Sequence, residues 1–136
     1  MPHVIIEHSA NITGTMDLDG LIARLHAAAL ETGVFPLGGL RTRAAERTRY
    51  RIADGHPDNG FVHVTLRMGH GRDPATKRAA AEHVFAALCD HLEPLFRTSP
   101  LGISLEVQEI DPDLSFKHNN LHDIVARRRQ GAAETE

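Results

Sequence analysis

An α/β fold built from a duplicated β-α-β unit is predicted by three features of this 136-residue chain. Hydrophobic periodicity runs strand, helix, strand, and then repeats in the same order. Apolar, β-branched strand starts recur at Val4 and Val62. The turns that follow the two helical stretches recur as Pro36-Leu37-Gly38 and Pro100-Leu101-Gly102. Parallel strands joined by a helix cross over right-handedly, so two such units side by side give a four-stranded sheet with both helices on one face. The other face is then bare. Strand alternation suggests that it is not strongly polar throughout, and packing between subunits is its expected cover.

Each element has its own justification. Val4-Ile5-Ile6 predicts a first strand over residues 3–7. From Asp17, the residues Leu18, Leu21, Ile22, Leu25 and Ala29 fall at helical spacing, and Gly33 stands where a left-handed cap ends a helix, which gives a helix over about 17–32. Residues 40–52 are rich in Arg and alternate imperfectly, as a polar strand or a hairpin would. The stretch Asp54-Gly55-His56-Pro57-Asp58-Asn59-Gly60 is a loop between the halves. Val62, Val64, Leu66 and Met68 then alternate with His63, Thr65 and Arg67 in a clean strand pattern over 61–68. Asp73-Pro74 opens the second helix, with Asp as cap and Pro tolerated in the first turn. Its stripe is Ala81, Val84, Phe85, Leu88, Leu92 and Leu95, and Pro94 is expected to end or bend it near residues 91–93. Leu101, Ile103, Leu105 and Val107 alternate in a last, half-buried strand.

Residues 111–125 carry Leu114, Phe116, Leu121, Ile124 and Val125 among polar residues and are expected to form an ordered extension that packs on a neighbour. The predicted organisation is one domain over 1–125, with halves of about 1–53 and 60–110 plus this extension. Residues 126–136, charged and without periodicity, are expected to be disordered.

Composition narrows the function classes. Fifteen Lys plus Arg against eighteen Asp plus Glu leave a formal charge of -3, which removes the usual electrostatic case for a nucleic-acid partner. An anionic small molecule stays open. With Cys89 as the single cysteine, no intrachain disulfide forms and a thiolate zinc site is nearly excluded, which fits a reducing cytoplasm. No apolar run approaches the ~20 residues that span a bilayer, and the start of the chain lacks a signal-peptide pattern, so a cytoplasmic protein without a membrane partner is expected. Hydrophobic residues make up 41% but aromatics only 4%, so the core must come from Leu, Ile, Val and Ala, with oligomerisation burying more apolar surface.

Pro2 is the first candidate for chemistry. Residues as small as proline after the initiator generally permit its removal, which would leave a secondary amine held at the entry of the first strand. A fixed position is what a general base needs. The α-amino reference pKa is about 7.7–8.0, and desolvation and nearby cations lower it toward neutrality. Ten histidines raise the question of metal, and His118 with His122 has a spacing that puts two ligands on one helix face. No third ligand completes the pattern, so no metal site is assigned. Cys89, between Leu88 and Leu92, reads as a small buried hydrophobe, and Gly69-His70-Gly71 as a tight strand-to-helix turn rather than a phosphate loop.

Four blocks in order, Pro2-His3-Val4-Ile5-Ile6-Glu7, Thr32-Gly33-Val34-Phe35-Pro36-Leu37-Gly38-Gly39-Leu40-Arg41, Phe61-Val62-His63-Val64-Thr65-Leu66 with residues 69–72, and Phe116-Lys117-His118-Asn119-Asn120-Leu121-His122, resemble the 5-carboxymethyl-2-hydroxymuconate isomerases of the tautomerase superfamily. The resemblance runs from Pro2 to about Val125. It implies a homotrimer of tautomerase-like protomers and a cofactor-free isomerisation in homoprotocatechuate breakdown, from which 4-hydroxyphenylacetate degradation draws. It also implies an anionic dienol carboxylate as substrate, Pro2 as catalytic base, and Arg41 and Arg72 as the residues that bind and polarise that substrate. Guanidinium groups suit this work because they take carboxylates in bidentate fashion and stay charged at every working pH. The end of the second helix beside Arg72 adds N–H groups and a dipole that favour an anion. Arg43, on the same strand face as Arg41, is a further substrate-binding candidate. The residues alone leave two alternatives open: a tautomerase of the same fold acting on another 2-hydroxydienoate, and a non-catalytic trimeric binding module.

Overall fold

The computed structural model describes residues 1–135, with side chains as far as residue 132. Strand β1 spans His3–Ser9, helix α1 Leu18–Glu31, β2 Arg41–Arg47, β3 Gly60–Gly69, α2 Pro74–Thr98, β4 Leu101–Ile110 and α3 Leu121–Thr135, with 3-10 turns at Ala10–Thr15 and Pro112–Leu114. The sheet order is β2-β1-β3-β4. Within each half the strands are parallel, and the halves meet through antiparallel β1 and β3. Val4 and Val62 start the two repeats, and two residues further on Ile6 and Val64 pair directly across that central ladder. The local axis of the duplication therefore passes through this pair.

The pleat sorts the side chains. Val4, Ile6, Val62, Val64, Leu66 and Met68 are fully buried against Leu21 and Leu25 of α1 and Val84 and Leu88 of α2. Each such side chain contributes about 1.5–3 kcal/mol of hydrophobic stabilisation, so the core locks the strand register and holds both helices to one face. Both helices begin where the sequence places their caps. Asp17 accepts a hydrogen bond from the Gly20 N–H at 3.0 Å, and Asp73 from the Thr76 N–H at 2.8 Å. Gly33 follows α1 with φ +71, a left-handed conformation that costs glycine little.

Three expectations need correction and one is narrowed. Of the two readings of residues 40–52, a polar strand forms and a hairpin does not. Only Arg41–Arg47 pairs, with β1 as its single neighbour, and the chain then turns away through Ala53 and Gly55, both at positive φ. Pro94 does not end α2, which continues to Thr98. Pro94 lies on the solvent side with exposed Asp90, so the carbonyl that loses its N–H partner is on the face of the helix open to solvent. The bare sheet face is more polar than expected: His3, Glu7, Arg41, Arg43, Arg47, His63 and Arg67 share it, interrupted by Ile5 and Phe61. Residues 126–135, expected as a disordered tail, continue α3 to Thr135. Ala, Arg and Gln are strong helix formers without any apolar stripe, and the periodicity test misses helices of that kind. Glu136 lies outside the described residues.

The ordered extension turns out to contact its own chain. His122 packs on the turn after α1, where a Cβ added to Gly38 would stand 2.7 Å from the His122 Cα. Glycine at 38 is required here by close approach, not by backbone conformation. Leu114 and Phe116 stay 75% and 91% exposed.

Candidate active site

Topology gathers the candidate residues at one end of the sheet. Strands β1 and β2 are parallel and start at that end, which places Pro2 beside Arg41, and the Arg41 N–H reaches the Pro2 carbonyl at 3.4 Å. Antiparallel β3 finishes there and turns into α2 through Gly69, Gly71 and Arg72, with Gly71 at φ +112. Strand β4, parallel to β3, also finishes there, so the segment after it crosses the mouth of the same end.

The result is an open cavity of about 420 Å³ lined by Met1, Pro2, Pro36, Gly39, Gly69, Arg72, Lys117, Asn119 and His122. No carboxylate lines it. A second hollow, of about 430 Å³, is bordered instead by Glu109, Asp111 and Asp113, which would repel an anion. The two are told apart by charge.

Arg72 is rigidly placed. Its Nη2 donates to the Val34 carbonyl at 2.8 Å and its Nη1 to the Gly69 carbonyl at 3.2 Å, and its guanidinium lies 5.7 Å from the centre of the Phe35 ring. The carbonyls fix the side chain without neutralising it. The end of α2 adds less than expected, because the Asp73 carboxylate already caps it and is held below its ordinary pKa chiefly by the Thr76 N–H. Attraction for an anion therefore rests on the guanidinium and its neighbours. Arg41 is exposed, stands outside the cavity lining, and donates from Nη2 to the Met1 sulfur at 3.1 Å. Arg43 is not brought to the cavity. It contacts His3 Nδ1 at 3.0 Å on the bare sheet face.

Met1 precedes Pro2 here, so the terminal amine is that of Met1. Its pKa is lowered from 8.0, first by burial, then by the Lys117 charge and a hydrogen bond from the Lys117 side chain, then by Arg41 and Arg72. Each cause disfavours the protonated form. An amine at this end of the sheet is thus a neutral base at lower pH than a free terminus.

Sequence reasoning did not single out Lys117, Asn119 and His122 as site residues. All three belong to the block Phe116-Lys117-His118-Asn119-Asn120-Leu121-His122, whose density of polar residues at the start of an extension was the available signal. The pairing of His118 with His122 on one helix face does not form, because α3 begins only at Leu121. Among the described residues no group of three or more His, Cys, Asp or Glu is placed to hold a metal ion. Cys89 is half-buried, and burial raises its thiol pKa. No helix among them is long and apolar enough to cross a membrane.

Comparison with known proteins agrees in sequence and in shape. A protein of Escherichia coli named 5-carboxymethyl-2-hydroxymuconate Delta-isomerase is 39% identical over 124 residues, covering 91% of this chain and 98% of that protein. The crystal structure of a 5-carboxymethyl-2-hydroxymuconate isomerase from Deinococcus radiodurans R1 superposes with a TM-score of 0.85 at 32% identity, covering 91% of this chain and 93% of that one. A fused 4-OT symmetric trimer, at 15% identity and a TM-score of 0.66 over 92% of this chain and 99% of that one, shares the fold. Residues 2–125 match the profile of the family described as 5-carboxymethyl-2-hydroxymuconate isomerase, and the chain belongs to that family.

Proposed function

We infer that this chain is an isomerase converting 5-carboxymethyl-2-hydroxymuconate to its 2-oxo-3-ene isomer, in homoprotocatechuate degradation, with Pro2 as general base once Met1 is removed. The observation that carries the reading is the amino terminus itself: a partly exposed terminal amine beside Lys117, Arg41 and Arg72 at a cavity without carboxylates. The substrate is a dienol with three carboxylates, which is the chemistry such a cavity favours.

The reaction moves one proton. The Pro2 nitrogen takes the proton of the 2-hydroxyl, and the oxygen electrons form the 2-oxo group. The first double bond shifts to the 3-ene position, and the second supplies the electrons for a new C–H bond at carbon 5, whose proton the prolinium returns. Negative charge gathers on the 2-oxygen during transfer, and a fixed guanidinium there contributes on the order of the ~2.7–4 kcal/mol seen for single oxyanion donors. Arg72, held by two carbonyls, needs no reorganisation to do so, and Arg41 completes the binding of the carboxylates. The chain acts as a homotrimer in which a neighbour covers the bare sheet face.

The test is the ultraviolet time course of the dienol with protein shown by mass to lack Met1, beside the same protein with Met1 retained. Rapid loss of the dienol absorbance is expected only for the first form, because an amide nitrogen is not a base. Equal rates in both forms would overturn the role of Pro2. No acceleration by either would overturn the substrate.

A further inference from the structure

We propose that Lys117, carried over the amino terminus by the C-terminal extension of the same chain, is a third cationic anchor of this site and binds the third carboxylate of the substrate. The proposal rests on the isomerase reading and adds to it a residue that decides between dienols with two and three carboxylates.

Charge pairing across the molecule is the first argument. Arg24 pairs with Asp90 at 2.7 Å, Arg47 with Glu7 at 2.5 Å, Arg78 with Glu82 at 2.9 Å and Arg97 with Glu93 at 3.4 Å, while Lys77 pairs with Glu109. Arg41, Arg72 and Lys117, like Arg43, Arg49, Arg51 and Arg67, have no carboxylate within 4.0 Å among the described residues, and what sets these three apart is that they converge on the amino terminus. Arg72 and Lys117 line the cavity and Arg41 stands beside its Met1 wall, and three cations without counter-ions around one amino terminus form an anion site. Three carboxylates match three cations, whereas a two-carboxylate dienol is served by the arginines alone.

The way the extension is held is the second argument. The Asn119 side-chain oxygen accepts from the Leu121 N–H at 2.8 Å and so caps α3, which turns the Asn119 Nδ2 toward the Met1 sulfur at 3.6 Å. Arg41 Nη2 donates to the same sulfur. A thioether is a weak acceptor, so loss of Met1 frees two donors on the cavity side without cost to the fold. His122 against Gly38 and Gly39 fixes the start of α3, and Lys117 is thereby held four residues upstream of a docked helix start rather than on a free loop.

Lys117→Met and Lys117→Arg, both lacking Met1, test the proposal against 5-carboxymethyl-2-hydroxymuconate and against 2-hydroxymuconate, which lacks the carboxymethyl arm. In the Met variant, KM for the first substrate is expected to rise about tenfold or more, the scale of one lost charge-assisted contact. KM for the second rises far less, and the acid limb of kcat/KM moves to higher pH. The Arg variant restores most of the KM, which a mere folding defect would not allow. Binding of the unreactive propane-1,2,3-tricarboxylate, followed by calorimetry, separates this proposal from the isomerase reading. Weaker binding in the Met variant supports the anchor, and if the parent protein turns over no dienol, only the isomerase reading falls. An unchanged Kd and KM, or an equal KM rise on both dienols, overturns the anchor.

Discussion

His3 shows how the charges around the site act on a residue that does no chemistry. Burial first, and then the positive charges of Arg43, Arg41 and Arg67, hold its pKa at about 4 instead of 6.5. The neutral ring accepts from Arg43 Nη1, an arrangement a protonated ring would break. In the unfolded chain His3 takes up a proton near 6.5, and in the folded chain not until about 4, so the unfolded state binds more protons in between. Stability is therefore expected to be full above pH 6.5 and to fall as pH drops toward 4. His3→Gln should show a smaller fall in Tm between pH 7 and 5 than the parent protein. An equal fall would show that His3 does not sense the arginines. The same cations act in the useful direction on the amino terminus, where a lowered pKa leaves the base unprotonated. Pro2 stood out in the sequence by its residue type and its place at the entry of the first strand, whereas Arg41 and Arg72 were named through the family resemblance. Lys117 was not, since a lysine in an extension gains its role only from what it folds onto.

At the scale of elements, α2 carries the clearest departure from local rules. A proline inside a helix removes one hydrogen bond and crowds the preceding turn, yet α2 runs through Pro94, with the Thr98 hydroxyl donating to the Pro94 carbonyl at 3.1 Å. Packing decides this, because Leu88 and Leu92 are anchored on the sheet before the proline and half-buried Leu95 after it. Pro94→Ala is accordingly expected to stabilise the protein by roughly 1–3 kcal/mol, since alanine returns the N–H and the better helix propensity. Urea unfolding measures it, and a variant no more stable than the parent would show that the helix already absorbs the proline without strain. Helix α3 is the complementary case. Beyond Val125 propensity alone favours it, no apolar stripe marks it, and periodicity therefore reads that part as disorder.

For the whole molecule, the bare sheet face is the open account. Arg67 sits on it with its Nε buried and without a hydrogen-bond partner among the described residues, a condition that folded proteins rarely leave uncompensated. A second copy on this face would supply the missing acceptor. Sedimentation is expected to give about three times the 14.9 kDa chain mass, and Arg67→Glu to shift it toward the monomer. A monomeric parent protein at micromolar concentration would remove the trimer from the proposal. The sequence by itself determined the repeat, the strand faces, the helix caps and the candidate base Pro2, because period, turn chemistry and residue type are local properties that survive any folding context; the arginine candidates came from the resemblance of whole blocks. Only the tertiary structure decided that β4 finishes at the end of the sheet where β1 starts, that the extension folds back over the amino terminus, and that Arg43 stays out of the cavity lining. Those outcomes depend on contacts between residues far apart in the chain, and periodicity does not encode such contacts.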